Sequence, residues 1–306
     1  MNNQFFYPKK TLKLFSFKKE FDFFKKLFVT KKLPRVNMIT GKKGLGKFTF
    51  INHFLCYVFD KENYDINNKI IDEESMYYKK INSETFSNVI TLSNDKSKIK
   101  IDDIRLLKTT LNKTFLNDTS RFIILDNIEN YNHNALNALL KIIEEPSDNN
   151  YFFLINSREK PILETIKSRC VETKFFLSED ERIKIIEYMI KLYSIKSVVD
   201  YKKIDVTPGN FLKFNYLCLE NNIDMKLSYF DKIYTLLRLY KKNKDLNLIK
   251  VANFFTDLHF YNLSIKNKNH DFINDTKYIA LKNIDNFVLY NLNLNVVIQQ
   301  FNKDYN

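Results

Sequence analysis

Three of the four glycines in this 306-residue chain fall within six residues, at Gly41, Gly44 and Gly46, and Lys47 follows at once. Read with Lys42, Lys43 and Leu45, the run fits GxxxxGK. In a loop of that spacing backbone N–H groups wrap phosphates and the lysine ammonium meets the outer phosphate oxygens. The residue after the lysine should carry a hydroxyl for Mg²⁺, and here it is Phe48. Thr49 cannot take its place, because one step along a helix turns the side chain by about 100°. The glycine amides and Lys47 keep the means to hold ATP or ADP weakly, and the residues alone leave open whether they do. The fourth glycine, Gly209, follows Pro208. A chain this sparing of glycine puts it where positive φ or close backbone approach demands it.

A second group of residues belongs to the same chemistry. "RFIILDN" (121–127) reads as a buried strand ending in Asp126, placed to hold Mg²⁺ through water. ATPases of this kind usually follow that aspartate with a glutamate that polarises the attacking water. Asn127 stands there instead, and an amide cannot act as a base. Cys56, Cys170 and Cys218 are isolated, with no CxxC pair, which argues against a zinc site or a disulfide framework and suits a reducing cytoplasm. Cys170 has no His or acid partner near it in sequence and reads as a buried thiol rather than a nucleophile. His53, His133, His259 and His270 are scattered without HxxxH spacing and read as structural or surface residues.

The elements that must position these residues alternate. "VNMIT" (36–40) is a short apolar strand running into the glycine loop, and "FTFINHFLCYVF" (48–59) is the helix that leaves it. Upstream, Phe17, Phe21, Phe24 and Phe28 recur at helical spacing with Lys18, Lys19, Lys25 and Lys26 on other faces. "NVITL" (88–92), "YFFLIN" (151–156) and "VETKFF" (171–176) read as further strands. "IDDIRLLKTTL" (101–111), "NALNALLKIIEEP" (134–146) and "ILETIKSRC" (162–170) read as helices, the second stopped by Pro146. Alternation of this kind predicts a parallel α/β sheet. Residues 60–88 are polar and read as irregular. After Phe176 the pattern turns helical: 178–195, opened by a Ser178/Glu181 capping box, then 205–222, then several apolar-periodic helices to residue 306. The expected plan is an α/β domain over 1–176, a small helical domain over 177–222 and an all-α domain over 223–306.

Hydrophobic residues make up 44% of the chain and charged residues 28%, ordinary for a folded domain. No apolar run approaches the length of a membrane span, and the N-terminus lacks the apolar stretch of a signal peptide. The net charge of +13 fits a partner that is a polyanion such as nucleic acid. A Lys- and Asn-rich composition without Trp is also what an A+T-rich coding sequence yields, so charge alone does not decide.

Three motifs carry a resemblance. Asn137–Lys141 with Glu144–Pro146 matches an Asn-Ala-Leu-Leu-Lys helix ending in Glu-Glu-Pro, and Ser168, Arg169 and Cys170 match a Ser-Arg-Cys motif. "KLPRVNMITGKKGLGK" (32–47) matches the approach to the glycine loop. Together they resemble the delta-prime subunits of the bacterial DNA polymerase III clamp loader, in the AAA+ superfamily, over about residues 27–215. The resemblance implies a P-loop AAA+ domain, a helical lid and an all-α C-terminal collar. It implies that Arg169 is an arginine finger, reaching the γ-phosphate of ATP held by a neighbouring motor subunit. It places Asn156 at the sensor 1 position and Gly209-Asn210 where active relatives carry the sensor 2 arginine. The family's zinc-binding cysteine cluster has no counterpart here, so no zinc is expected. The implied partners are the delta and gamma/tau subunits in a pentamer, the sliding clamp and primer–template DNA, in the cytoplasm and without a membrane. The implied role is a stator with little or no ATPase activity and no required cofactor. An active gamma/tau-type ATPase and a DNA-binding scaffold with a vestigial loop stay open as rivals. Nothing in the chain resembles a polymerase active site, which needs acids holding two metals.

Overall fold

The computed structural model describes residues 7–93, 99–111, 120–147, 149–266 and 270–296. The outer ends of the expected first and last domains lie outside them. The chain divides into two compact units, Met1–Glu181 with Thr207–Gly209, and Arg182–Val206 with Asn210–Asn306.

The first unit is built on a five-stranded sheet. Its strands are β1 (Val36–Thr40), β4 (Val89–Leu92), β5 (Arg121–Leu125), β6 (Asn150–Asn156) and β7 (Val171–Lys174). They pair in the order β4-β5-β6-β1-β7, and every pairing is parallel. All five strands read from the sequence form. β1, β5 and β6 are buried along their whole length. That explains the unbroken apolar runs of Phe122–Leu125 in β5 and Tyr151–Ile155 in β6, since an inner strand of a parallel sheet is covered on both faces.

Alternate residues of each inner strand feed different cores. Ile39, Phe122, Ile124, Phe153 and Ile155 face one layer with α1 (Lys18–Val29) and α2 (Lys47–Phe59). Met38, Ile123, Leu125, Phe152 and Leu154 face the other, with α4 (Ile101–Leu111), α5 (His133–Ile143) and α6 (Glu164–Lys167). The first core is aromatic: Phe24 meets Phe50 edge to face at 5.3 Å between ring centroids, and Phe50 meets Phe175 at 4.9 Å. Such pairs add to what area burial alone contributes.

Residues 60–88 are more ordered than their composition predicts. They contain a hairpin, β2 (Tyr64–Asp65) with β3 (Ile70–Ile71), and a helix, α3 (Met76–Asn82). The reason is tertiary. Lys69, at the hairpin turn, is 5% exposed; its ammonium donates to Asp22 of α1 at 2.8 Å and lies 4.7 Å from the centre of the Phe21 ring. A buried histidine helps hold the region: His53 on α2 donates from Nε2 to the Thr11 carbonyl at 3.0 Å, and its Nδ1 accepts from the Tyr64 hydroxyl at 3.2 Å.

The second unit is helical. It takes in most of α7 (Glu179–Leu192) and α8 (Pro208–Glu220), with α9 (Tyr229–Asn243), α10 (Leu246–Lys266) and α11 (His270–Leu289). It spans the segments read as lid and collar. α10 packs against both α9 and α11, and its buried residues run round the helix, from Leu248 and Val251 to Phe255 and Phe260. A helix apolar on all sides is an inner one. Buried Asn215 of α8 ties down the chain before it: its Oδ1 accepts from the Val198 and Val199 amides, and its Nδ2 donates to the Lys196 carbonyl.

Candidate functional site

β1 ends at Thr40 beside Asn156, the last residue of β6, so the glycine loop leaves the carboxyl end of an inner strand of the sheet. That is the point where strand order reverses and open α/β sheets bind ligands. The Gly41 amide donates to the Asn156 carbonyl at 3.0 Å, which fixes where the loop starts. Gly46 has φ 92°, a backbone that L side chains rarely adopt, and it turns the chain into α2.

Lys47 opens α2 and is 4% exposed. Its ammonium donates to the Gly41 carbonyl, to the Lys42 carbonyl at 3.0 Å and to Ser157 Oγ at 3.2 Å. Burial pulls its pKa down to about 8, against the opposing pull of the Asp126 and Glu129 carboxylates. Phe48, on the next step of the helix, is half-buried and packed against the aromatic core.

Asp126 follows β5, and its amide continues the ladder by donating to the Leu92 carbonyl at 2.9 Å. Its carboxylate caps the turn beyond, accepting from the Asn127 amide at 2.9 Å. Asn127 is buried in the left-handed region, at φ 50°, and its Oδ1 accepts from the Ser157 hydroxyl at 3.3 Å. Asn156 lies in the same place, but its side-chain oxygen is taken by the Arg158 amide at 2.8 Å.

The fold therefore brings Gly41, Gly44, Gly46, Lys47, Asp126, Asn127 and Asn156 to one end of the sheet. It adds two residues that the sequence reading passes over. Ser157 joins Lys47 to Asn127 through one hydroxyl. Glu129 is 5% exposed; its Oε1 accepts from the Ser157 amide at 3.0 Å, and its Oε2 has no hydrogen-bond partner among the described residues. An acid two residues after Asn127 in "DNIEN" was the available signal.

Gly209 explains itself here. Its amide donates to the Gly44 carbonyl at 2.9 Å, and a Cβ on Gly209 would stand 2.9 Å from that oxygen and 3.0 Å from Gly44 Cα. Beside it the Thr207 hydroxyl donates to the Lys43 carbonyl at 2.6 Å. Thr207–Gly209 is thus strapped onto the loop that "GKKGLGK" forms.

The donor set suits a phosphate but not a phosphate-bound magnesium, because position 48 offers no oxygen. Lys47 would have to exchange its present acceptors for phosphate oxygens.

Arg169 belongs to a separate place, just beyond α6. Its guanidinium donates to Glu144 Oε1 at 2.8 Å and to the Thr165 carbonyl at 3.1 Å, and the side chain is 34% exposed. Cys170 is half-buried. Burial pushes its thiol up to about 12, and the group donates to the Ile166 carbonyl, so the thiolate a nucleophile needs is suppressed.

The parallel sheet, the glycine loop at the end of inner strand β1, the acid at the end of β5 and the helical C-terminal part define an AAA+ type P-loop protein. Residues 17–178 match the family model described as DNA polymerase III, delta subunit, over half of the chain, and the chain belongs to that family. It is similar to the DNA polymerase III subunit delta′ of Buchnera aphidicola subsp. Schizaphis graminum, with 26% identity over 281 residues, 79% of this chain and 83% of the relative. The delta′ subunit of Pseudomonas aeruginosa is 39% identical over 74 residues, 24% of this chain and 23% of the relative. A solved gamma subunit-related protein of Thermotoga maritima shares 16% identity at a TM-score of 0.46, covering 91% of this chain and 96% of that one.

Proposed function

We propose that this chain is the delta-prime stator of a clamp loader, hydrolysing little or no ATP itself and lending Arg169 to ATP held by a neighbouring motor subunit. The observation that carries this reading is Phe48. A half-buried ring packed against the aromatic core occupies the position whose hydroxyl would hold Mg²⁺. Asn127 supports it by lacking a carboxylate, and Asn156 by spending its side-chain oxygen on the adjoining turn. Arg169 supports the second half, since it lies apart from Lys47, is partly exposed and keeps donors of its guanidinium fork in reserve. A guanidinium presented in this way stabilises charge spread over a transferring phosphoryl group, worth orders of magnitude in rate.

The partners on this reading are the delta and gamma/tau subunits in a pentamer, with the sliding clamp and primer–template DNA as what it handles, in the cytoplasm. No helix among the described residues is long and apolar enough to cross a membrane. ATP or ADP would bind weakly or not at all, and no zinc is needed.

One observation favours a second reading, an active ATPase. Glu129 brings a buried carboxylate with a spare oxygen into the site. Against it, the other oxygen is committed to the Ser157 amide, and the missing hydroxyl is not made good.

The test is reconstitution with motor and delta subunits. Arg169→Ala should lower DNA-stimulated ATP hydrolysis by the complex while assembly persists. Unchanged hydrolysis would leave the chain a DNA-binding scaffold with a vestigial loop. Turnover by the purified chain alone, abolished by Lys47→Ala, would establish the active ATPase instead.

A further inference from the structure

Arg169 is held from two directions. The Thr165 carbonyl comes from its own turn, and Glu144 comes from the end of α5. Glu144 is itself well placed to hold still. Its amide still donates to the Leu140 carbonyl at 3.0 Å, and Pro146, two residues on, prevents the helix from continuing. Ile143 before it and Ile166 of α6 are buried in the same core, which sets the spacing between the two supports. Glu145, the next residue, makes no ion pair or side-chain hydrogen bond among the described residues, so the contact belongs to one member of the Glu-Glu-Pro run.

An ion pair with partners 34% and 56% exposed contributes little to stability. Its effect is on orientation. A free arginine side chain spreads over many rotamers, and ordering it when the reaction occurs costs free energy at that moment. Two fixed acceptors choose one arrangement of the guanidinium beforehand and leave its remaining N–H groups for another acceptor.

We infer that Glu144 is a positioning residue for Arg169, setting the guanidinium plane in advance for the triphosphate of a neighbouring subunit. The inference rests on Arg169 acting as an arginine finger and adds the carboxylate that orients it. Glu144 touches no substrate and acts only through Arg169.

The test uses the reconstituted complex with Glu144→Ala, Glu144→Gln, Arg169→Ala and the double variant Glu144→Ala/Arg169→Ala. The rate of the Arg169-dependent hydrolysis phase and KM for ATP are measured with primer–template DNA present. Glu144→Ala should slow that phase by about two- to five-fold, the effect of losing an exposed ion pair, with KM little changed. Glu144→Gln keeps the shape and an acceptor oxygen, so it should recover part of the rate. It also carries the test if the alanine variant fails to fold. The double variant should match Arg169→Ala, and Glu145→Ala should match the wild type. An undiminished rate in both Glu144 variants, where Arg169→Ala is impaired, would overturn the inference and leave the finger intact. A further loss from Glu144→Ala in the Arg169→Ala background would also overturn it, since Glu144 would then act without Arg169. If Arg169→Ala itself changes nothing, the finger reading fails and the inference falls with it.

Discussion

Replacing Lys47 by methionine tests what the glycine loop does in this protein. Lys47 is 4% exposed, and burial lowers its pKa from 10.5 to about 8. The unfolded chain keeps the ordinary lysine value. Between pH 8 and 10.5 the unfolded state therefore binds a proton that the folded state has released. Stability then rises with pH across that window and is lower by the full amount below pH 8. A shift of that size corresponds to about 3 kcal/mol. Lys47→Met fills similar space without a charge, so the variant should lack this rise. At pH 7 the two effects of the substitution oppose each other. The desolvation cost disappears, but the Gly41 and Lys42 carbonyls and Ser157 Oγ lose a donor, at about 1–3 kcal/mol for a group left unsatisfied. The diagnostic is therefore the pH slope. Urea titrations of both proteins, followed by far-ultraviolet circular dichroism at several pH values from 7 to 10.5, cancel the other lysines and tyrosines in the difference. The wild-type midpoint should rise relative to the variant above pH 8. Parallel curves would refute the reasoning, because they would mean that Lys47 is solvated or already compensated. Repeating the series with ATP adds a second reading. Phosphate binding would return Lys47 to its charged form and flatten the wild-type rise, whereas a loop that binds no nucleotide leaves it unchanged.

Three further outcomes follow from the same geometry. Gly209→Ala forces a Cβ against Gly44 and should destabilise the first unit by about 1–3 kcal/mol, read as faster limited proteolysis near residues 42–46. Phe48→Ser restores a hydroxyl at the cost of about 1–2 kcal/mol of lost burial; calorimetry should show Mg²⁺-dependent ATP binding strengthened, with no turnover while position 127 is Asn. Burial holds His53 down to about 3, from the ordinary 6.5, so stability should be lost as pH falls from 6.5 towards 3, and His53→Gln should reduce that acid sensitivity in thermal melts.

How much of this was legible beforehand divides by the range of the cause. The five strands, the place of Lys47 in its loop and that of Asp126 at a strand end were readable because each follows from local pattern: an apolar run, a glycine spacing, an acid closing a strand; the place of Asn156 came only with the family resemblance. The capping box was readable too, and Ser178 and Glu181 do exchange bonds, at 2.9 Å and 3.3 Å. Helix α5 stops at Ile143 with Glu144 as its still-helical cap, short of Pro146, because proline disfavours helical backbone in the residue before it, Glu145. The hairpin at 64–71 was not readable, since a two-residue strand carries no periodicity and its support comes from α1.

The sequence by itself determined the class of protein, because a phosphate loop between a strand and a helix needs glycines and a lysine at fixed spacing. It also determined what the site lacks, since a phenyl ring and an amide are not a metal ligand and a base wherever they lie. Only the tertiary structure decided what those residues do with one another. It turned Lys47 onto the loop's own carbonyls and Ser157, buried Glu129 beside Asn127, strapped Gly209 against Gly44 and set Glu144 on Arg169. The bonds of Lys47 and Glu129 to Ser157, of Gly209 to Gly44 and of Arg169 to Glu144 join segments far apart in the chain, and no local spacing encodes them. Their partners meet only because the sheet order and the packing of helices on its two faces put them within hydrogen-bonding reach.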